Sequence, residues 1–180
     1  MNRQRLWTAA AAASVVFLIV MVVTGALPGQ RQLVKFEAKG LMKLEPDLIS
    51  RVEIQSAQQR AVLMRAPGGG WAANNGEAVS GDVAGKISLA VQFMNTAGPI
   101  RVIPADEIPG IKLADFGLEP PRLHVVLNRD AQAVIGVRFG SHNPEDTAQY
   151  LTVDGHGELI LMSRFVGQEW ESVAGAVFRK

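Results

Sequence analysis

The chain has 180 residues, enough for one compact domain with an appendage but too few for two ordinary domains. Its formal net charge of +1 does not supply the positive field that nucleic-acid binding needs, so no nucleic-acid partner is expected. The absence of cysteine excludes disulfide bonds, thiolate metal sites and a cysteine nucleophile.

The first 27 residues predict a transmembrane anchor. Arg3 and Arg5 precede an uncharged run over residues 6–27. About 22 residues form a helix of roughly 33 Å, which matches the hydrocarbon thickness of a bilayer. A secretory signal has the same basic start but a shorter apolar stretch, and the small residues 24–26 form at most a weak cleavage site. The length therefore favours an uncleaved anchor over a cleaved signal.

The charges on either side of this run predict its orientation. Arg3 and Arg5 favour a cytoplasmic N-terminus. Arg31, Lys35 and Lys39 lie near the other end and oppose that reading. A short basic N-terminal segment nevertheless tends to remain in the cytoplasm while the long C-terminal part of the chain crosses the membrane. We therefore expect a single pass with the folded domain outside the cytoplasm.

The segment after the anchor has no firm periodicity. Pro28 and Gly29 end the predicted helix. Residues 28–46 mix charged and apolar positions and are predicted to form a linker or an edge strand. We place the folded domain at residues 47–180.

The first half of this domain predicts two strands, a helix and a third strand. Apolar and polar residues alternate over residues 51–55 and 60–65, as on half-buried strands. Ser80 is a predicted helix cap. Apolar residues at helical spacing follow it and predict one buried stripe, namely Val83, Ile87, Ala90, Val91 and Met94. A short strand is expected at residues 100–103.

The second half repeats the alternation. Strands are predicted at residues 123–127, 134–140, 149–153 and 158–162, with a glycine-containing hairpin turn at residues 154–157. Ser163 is the expected cap of a last helix. The inner face of that helix should carry Val166, Trp170, Val173 and Ala174. These elements predict an α+β domain: a mostly antiparallel β-sheet with one or two packed helices.

One short segment carries a family resemblance. The run from Phe116 to Arg122, Phe-Gly-Leu-Glu-Pro-Pro-Arg, resembles the signature of a bacterial domain-of-unknown-function family, an aromatic residue, Gly-Leu, an acid and Pro-Pro. Domains of that family occur in auxiliary proteins of ABC-type, gliding-motility-like transport systems. The resemblance extends over residues 47–180 and implies a bacterial inner-membrane protein with a periplasmic domain. It implies no catalytic residues. The chain is shorter than most such proteins and has no attached transporter segment.

The residues themselves give the same segment a structural role. Gly117 permits a left-handed turn, and Pro120 and Pro121 stiffen the entry into the next strand. We therefore read the segment as a corner of the fold.

Few side chains suit chemistry. Of the three histidines, His124 lies in a strand on the face opposite the leucines, and His156 lies in a hairpin tip. Only His142 has acidic neighbours, Glu145 and Asp146, in the polar loop at residues 141–147. The same composition describes an ordinary solvated loop. Residues 81–87 have the wrong spacing for a phosphate loop. We expect no catalytic, cofactor-binding or metal site and no cofactor.

These observations predict a non-enzymatic, membrane-anchored accessory or assembly subunit. Its expected partners are the bilayer, through residues 6–27, and a larger integral-membrane complex, for which a transporter is one candidate. The alternative is a periplasmic binding module for a small molecule, a glycan or a cofactor intermediate. A deep apolar cavity with convergent polar groups favours the binding module, whereas a flat apolar patch favours the accessory subunit.

Overall fold

The structure, a computed structural model, describes residues 3–23, 38–107, 110 and 112–179. The chain divides into two units, Met1–Glu37 and Ala38–Lys180. The first unit contains one helix, α1 (Arg3–Val23), whose described side chains are nearly all exposed. The second unit is the folded domain.

The transmembrane helix that the sequence predicts is not supported by the described residues. Among them, no helix is long and apolar enough to cross a membrane. Residues 24–27 of the predicted span and residues 28–37 of the predicted linker or edge strand lie outside the described residues.

The folded domain is α+β, as predicted, and its sheet has eight strands. Every neighbouring pair is antiparallel, in the order β3-β2-β1-β5-β6-β7-β8-β4. Each predicted strand is present, because side chains that alternate between core and solvent select extended backbone. The strands are β1 (Arg51–Gln55), β2 (Arg60–Arg65), β3 (Trp71–Ala73), β4 (Arg101–Ile103), β5 (Leu123–Arg129), β6 (Gln132–His142), β7 (Ala148–Val153) and β8 (Leu159–Ser163).

The short edge strand β3 was not predicted. Its Trp71 is buried, and its indole N–H donates to Ser88 Oγ at 3.1 Å. The guanidinium of Arg65 lies 4.9 Å from the ring centre. Residues 71–73 are all apolar and show no alternation of apolar and polar side chains, so tertiary contacts determine this strand.

Two helices cover one face of the sheet. They are α2 (Gly81–Thr96) and α3 (Arg164–Phe178). The Ser80 hydroxyl accepts a hydrogen bond from Val83 N at 3.4 Å, so the predicted cap of α2 is confirmed. Ser163 occupies the cap position of α3, but its side chain makes no capping hydrogen bond. Eight of the nine residues predicted on the inner faces are buried in one core with the sheet, namely Ile87, Ala90, Val91, Met94, Val166, Trp170, Val173 and Ala174. The ninth, Val83, is only partly buried and packs against that core.

The folded unit begins at Ala38, before the predicted boundary at residue 47. Gly40 N and Met42 N donate to the last carbonyls of α2, each at 2.8 Å. The buried amide of Asn95 donates to the carbonyls of Met42 and Leu44, each at 3.1 Å. Residues 38–46 form no strand. Their backbone is hydrogen-bonded to the C-terminal end of α2.

The helix-free face of the sheet is partly covered by the corner that follows β4. The 3-10 turn Leu113–Phe116 ends at Gly117, whose φ of 66° confirms the left-handed turn. Phe116 packs edge-on against Tyr150, with ring centres 4.7 Å apart. A Cβ on Gly140 would lie 2.2 Å from the Phe116 carbonyl oxygen, so the absence of a side chain there lets the corner lie directly on β6. Within the described part of the folded unit, no helix packs on the rest of this face, over β2, β1, β5 and β6.

Candidate functional site

The polar loop at residues 141–147 brings together two of its three predicted side chains. His142 Nδ1 lies 2.9 Å from Asp146 Oδ1, and Arg164 binds the other oxygen of the same carboxylate. Glu145 instead accepts a hydrogen bond from Asn143 Nδ2 at 2.8 Å. The loop therefore contains a His142–Asp146–Arg164 cluster, and Glu145 is outside it.

The geometry of this loop favours its structural role. The second ring nitrogen of His142, Nε2, is buried and has no hydrogen-bond partner within the described chain. The Asn143 carboxamide oxygen accepts from Thr147 N at 2.9 Å and from Ala148 N at 2.8 Å, which closes the loop on itself. Arg164 begins α3, so Asp146 ties the loop to that helix. In this conformation, Nε2 of His142 is therefore buried and not presented to solvent.

A second cluster of the same composition lies on the helix-free face of the sheet. His124 and Arg138 are cross-strand partners on β5 and β6. Asp154 follows β7 and contacts both: its Oδ2 is 2.7 Å from His124 Nε2, and its Oδ1 is 3.0 Å from Arg138 Nε. The arginine contact is an ion pair without hydrogen-bond alignment, because Oδ1 has no aligned donor. The three side chains are between 24% and 42% exposed.

Gly136 makes this second cluster possible. Gly136 pairs with Val126, two residues along the strands from the His124–Arg138 pair, and therefore lies on the same face of the sheet. A Cβ on Gly136 would lie 2.1 Å from Asp154 Oδ2, so the carboxylate occupies the space of the missing side chain. The Asp154 backbone N–H also donates to the Gly136 carbonyl at 2.9 Å. Two independent contacts therefore hold Asp154 over the sheet.

Sequence reasoning placed His124 on the correct face but missed its partners. Asp154 is 30 residues away along the chain. The alternation of β5 and β6 places His124 and Arg138 on equivalent faces, but only the register of the two strands makes them neighbours. A glycine two positions before Arg138 in an otherwise regular strand was the one available signal of a close approach.

A further carboxylate on the same face is also paired. Glu53 on β1 lies 3.0 Å from Arg51 and 2.5 Å from Arg60. Among the described residues, no three histidine or acidic side chains come close enough together to hold a metal ion. Glu53 and Asp154 are thus each shared between two basic side chains.

Two cavities are relevant to ligand binding. One of about 160 Å³ lies beside His124. We call it the His124 groove; its lining residues are Gln55, Ser56, Ala57, Pro120, Pro121 and His124. A larger cavity of about 360 Å³ lies between β2, β3 and the start of α2, and its polar lining includes Asn74, Asn75 and Ser80. Cavities that hold drug-sized ligands have volumes of about 300–1,000 Å³, so only the second reaches that range.

Exposed apolar side chains gather at the β4 edge of the domain. Ile100 and Val102 are 60% and 41% exposed. Phe165, at the start of α3, is 43% exposed and packs edge-on against Phe93 of α2, with ring centres 5.0 Å apart. Phe93 is itself half-buried, and Leu89, one turn before it, is 38% exposed. We call these five residues the edge patch.

The register of β4 and β8 explains why these elements meet. Arg101 pairs with Leu161 and Val102 with the buried Ile160, so Val102 is on the helix-covered face of the sheet. Ile100 N donates to the Leu161 carbonyl at 2.8 Å, which places Ile100 next to the end of β8, where α3 begins. The helices stop short of β4 and leave its apolar side chains uncovered.

Comparison with known proteins gave no relatives: no protein family, no curated protein and no solved structure matches the chain.

Proposed function

We propose that this chain is a non-enzymatic, membrane-anchored accessory or assembly subunit whose folded domain binds an integral-membrane partner through the edge patch. The observation that carries the proposal is the exposure of apolar side chains on three elements, α2, β4 and α3, at one edge of the sheet. Exposed contiguous apolar surface is typical of protein-interaction sites.

Side chains, rather than strand addition, should make this contact. Pro99 and Pro104 flank β4 and supply no backbone N–H, so an added strand has only three residues with which to pair. Aromatic and aliphatic side chains, by contrast, supply most of the binding energy at protein interfaces. Phe165, Ile100 and Val102 suit that role because each is at least two-fifths exposed.

The His142 cluster supports a non-enzymatic role. Its carboxylate is shared between an imidazole and a guanidinium, and the second ring nitrogen of His142 is buried. Such sharing fixes the three side chains to one another and connects separate elements of the fold. General acid–base catalysis instead requires a histidine placed against a reacting group.

The membrane anchor is part of the proposal and is supported by the uncharged run at residues 6–27 and its basic head. We propose that this run is retained in a bacterial inner membrane, with the N-terminus in the cytoplasm and the domain in the periplasm. Attachment would raise the effective concentration of the domain toward a partner in the same membrane. The resemblance of residues 116–122 to transporter-auxiliary domains supports a transporter as the larger complex.

Site-specific photo-crosslinking tests the partner contact in native membranes. A photoreactive residue at Val102 should form a crosslink of one defined mass to an integral-membrane protein. The matched control is Met64, which is exposed to nearly the same extent, 40%, but lies on β2 at the helix-free face. The Val102 crosslink should disappear in a Phe165→Asp/Ile100→Asp variant that remains folded by circular dichroism.

Equal crosslinking from Val102 and Met64, or a Val102 crosslink that survives the double substitution, would refute the edge patch as the binding surface. The anchor has a separate test. Alkaline extraction should leave the protein in the membrane fraction, and intact-mass measurement should show the full chain. A mass lacking about 26 residues, as after signal cleavage, would refute the membrane anchor. That result would not affect the edge patch, which the crosslinking experiment tests.

A further inference from the structure

We propose that the His124 groove binds a neutral, hydroxyl-bearing group the size of one sugar unit. The inference does not depend on the edge patch or on the partner proposed above. It gives the binding-module alternative a specific site and a ligand class.

The first argument is the hydrogen-bonding state of His124. A separation of 2.7 Å between Nε2 and Asp154 Oδ2 requires a proton between them, because a carboxylate only accepts hydrogen bonds. In the neutral form of the ring, a proton on Nε2 leaves a lone pair on Nδ1. Nδ1 has no hydrogen bond to the described residues and, unlike Nε2 of His142, is not a buried atom. His124 lines the groove, and in the neutral form of its ring Nδ1 is an acceptor that suits a ligand hydroxyl.

The second argument is the chemistry of the groove walls. Apart from His124, no lining residue is ionisable. Gln55 is the β1 neighbour of His124 and contributes a carboxamide that both donates and accepts. Ser56 adds a hydroxyl, and Ala57, Pro120 and Pro121 form the apolar part of the wall. Mixed donors and acceptors next to an apolar wall match a sugar ring, whose hydroxyls do both and whose C–H groups are apolar.

The third argument is preorganisation. The carboxylate that sets the tautomer of His124 is held by the space over Gly136 and by its own backbone hydrogen bond. His124 itself lies on a central strand of the sheet, between β1 and β6. The acceptor is thus fixed before any ligand arrives, which lowers the entropic cost of binding.

The fourth argument is size. A volume of 160 Å³ corresponds to about five water molecules, at roughly 30 Å³ each. That is too small for a drug-sized ligand and suits a single ring or the end of a longer glycan. A ligand group of about a dozen non-hydrogen atoms should bind with a Kd on the order of 1 mM.

Nuclear magnetic resonance of the full chain tests this inference. The protein should be held in a zwitterionic detergent without a sugar headgroup, and the imidazole nitrogens of His124 should be followed during titration. The probes are glucose and N-acetylglucosamine as neutral sugars, inorganic phosphate as an anion, and a glycine-rich peptide. We expect a saturable shift of the Nδ1 resonance with at least one sugar and no saturable shift with phosphate or peptide.

Variants separate the groove from other surfaces. Gln55→Ala, which removes the neighbouring carboxamide, should weaken sugar binding about tenfold. Asp154→Asn should abolish the single-tautomer signature of His124 and weaken binding as well. His142→Gln and the edge-patch variant Phe165→Asp should leave binding unchanged.

Failure has three distinct forms. No saturable shift with either sugar, an equal response to phosphate or peptide, or unchanged sugar binding in folded Gln55→Ala would each overturn the assignment. None of these results bears on the edge patch, and loss of the Val102 crosslink would not bear on sugar binding.

Discussion

Replacing Gly117 by alanine should destabilise the domain through two separate effects. At a φ of 66°, a residue with a Cβ is in the left-handed region, which costs about 1–2 kcal/mol. The added Cβ would also lie 2.4 Å from Ser141 Oγ and 3.0 Å from Ser141 N. The hydroxyl can rotate away, but the backbone nitrogen cannot, and overpacking of this kind costs about 1–3 kcal/mol. The expected loss of unfolding free energy is therefore about 2–5 kcal/mol.

Two other glycines provide matched controls. Gly155 has a φ of 77°, but no atom lies within 4 Å of the point that a Cβ would occupy, so Gly155→Ala isolates the backbone effect, about 1–2 kcal/mol. Gly85 lies inside α2, without a positive φ and also in open space. Gly85→Ala should stabilise the helix by about 0.5–1 kcal/mol, because glycine loses more backbone entropy on folding.

Thermal unfolding measures all three changes. Near-ultraviolet circular dichroism of the full chain in detergent reports on the buried side chains Trp71 and Trp170. A change of 1 kcal/mol shifts Tm by about 2–4 °C in a domain of this size. Gly117→Ala should thus lower Tm by about 4–20 °C, Gly155→Ala should lower it by about 2–8 °C, and Gly85→Ala should raise it slightly. If Gly117→Ala costs no more than Gly155→Ala, the close contact with Ser141 does not constrain the corner.

Two further changes probe contacts that link distant parts of the chain. Gly167→Ala should cost about 1–3 kcal/mol, because its Cβ would lie 1.6 Å from Oε1 of the buried Gln149. In urea unfolding, adding Gln149→Ala should recover part of that loss, and fully additive losses would contradict the contact. Asn95→Ala should cost about 1–3 kcal/mol, because it leaves two backbone carbonyls, including that of Met42, without their donor. The same change should accelerate amide hydrogen exchange at Gly40 and Met42; unchanged exchange would show that other contacts hold this segment.

The sequence by itself determined the elements whose signals are local. Alternation with a period of two identified the central strands, because a half-buried strand must place every second side chain in the core. The spacing of Ile87, Val91 and Met94 identified the buried face of α2, and Ser80 marked its start. Gly117 marked a left-handed corner, because glycine is the residue that adopts positive φ without strain. Each of these signals depends on residues within a few positions of one another.

Tertiary structure alone decided which of these elements lie side by side. β4 follows α2 along the chain but pairs with β8, and this pairing places Val102 at an uncovered edge near Phe165. The hydrogen bonds between residues 38–46 and the end of α2 could not be predicted from the sequence either. Their acceptors are backbone carbonyls, which every residue has. Likewise, His124 gains Asp154 only through the register of three strands and the space over Gly136. A shift of one residue in any of those pairings would turn the histidine or its partner to the opposite face. Local patterns fix which face a side chain occupies, whereas its neighbours on that face depend on contacts between residues far apart in sequence.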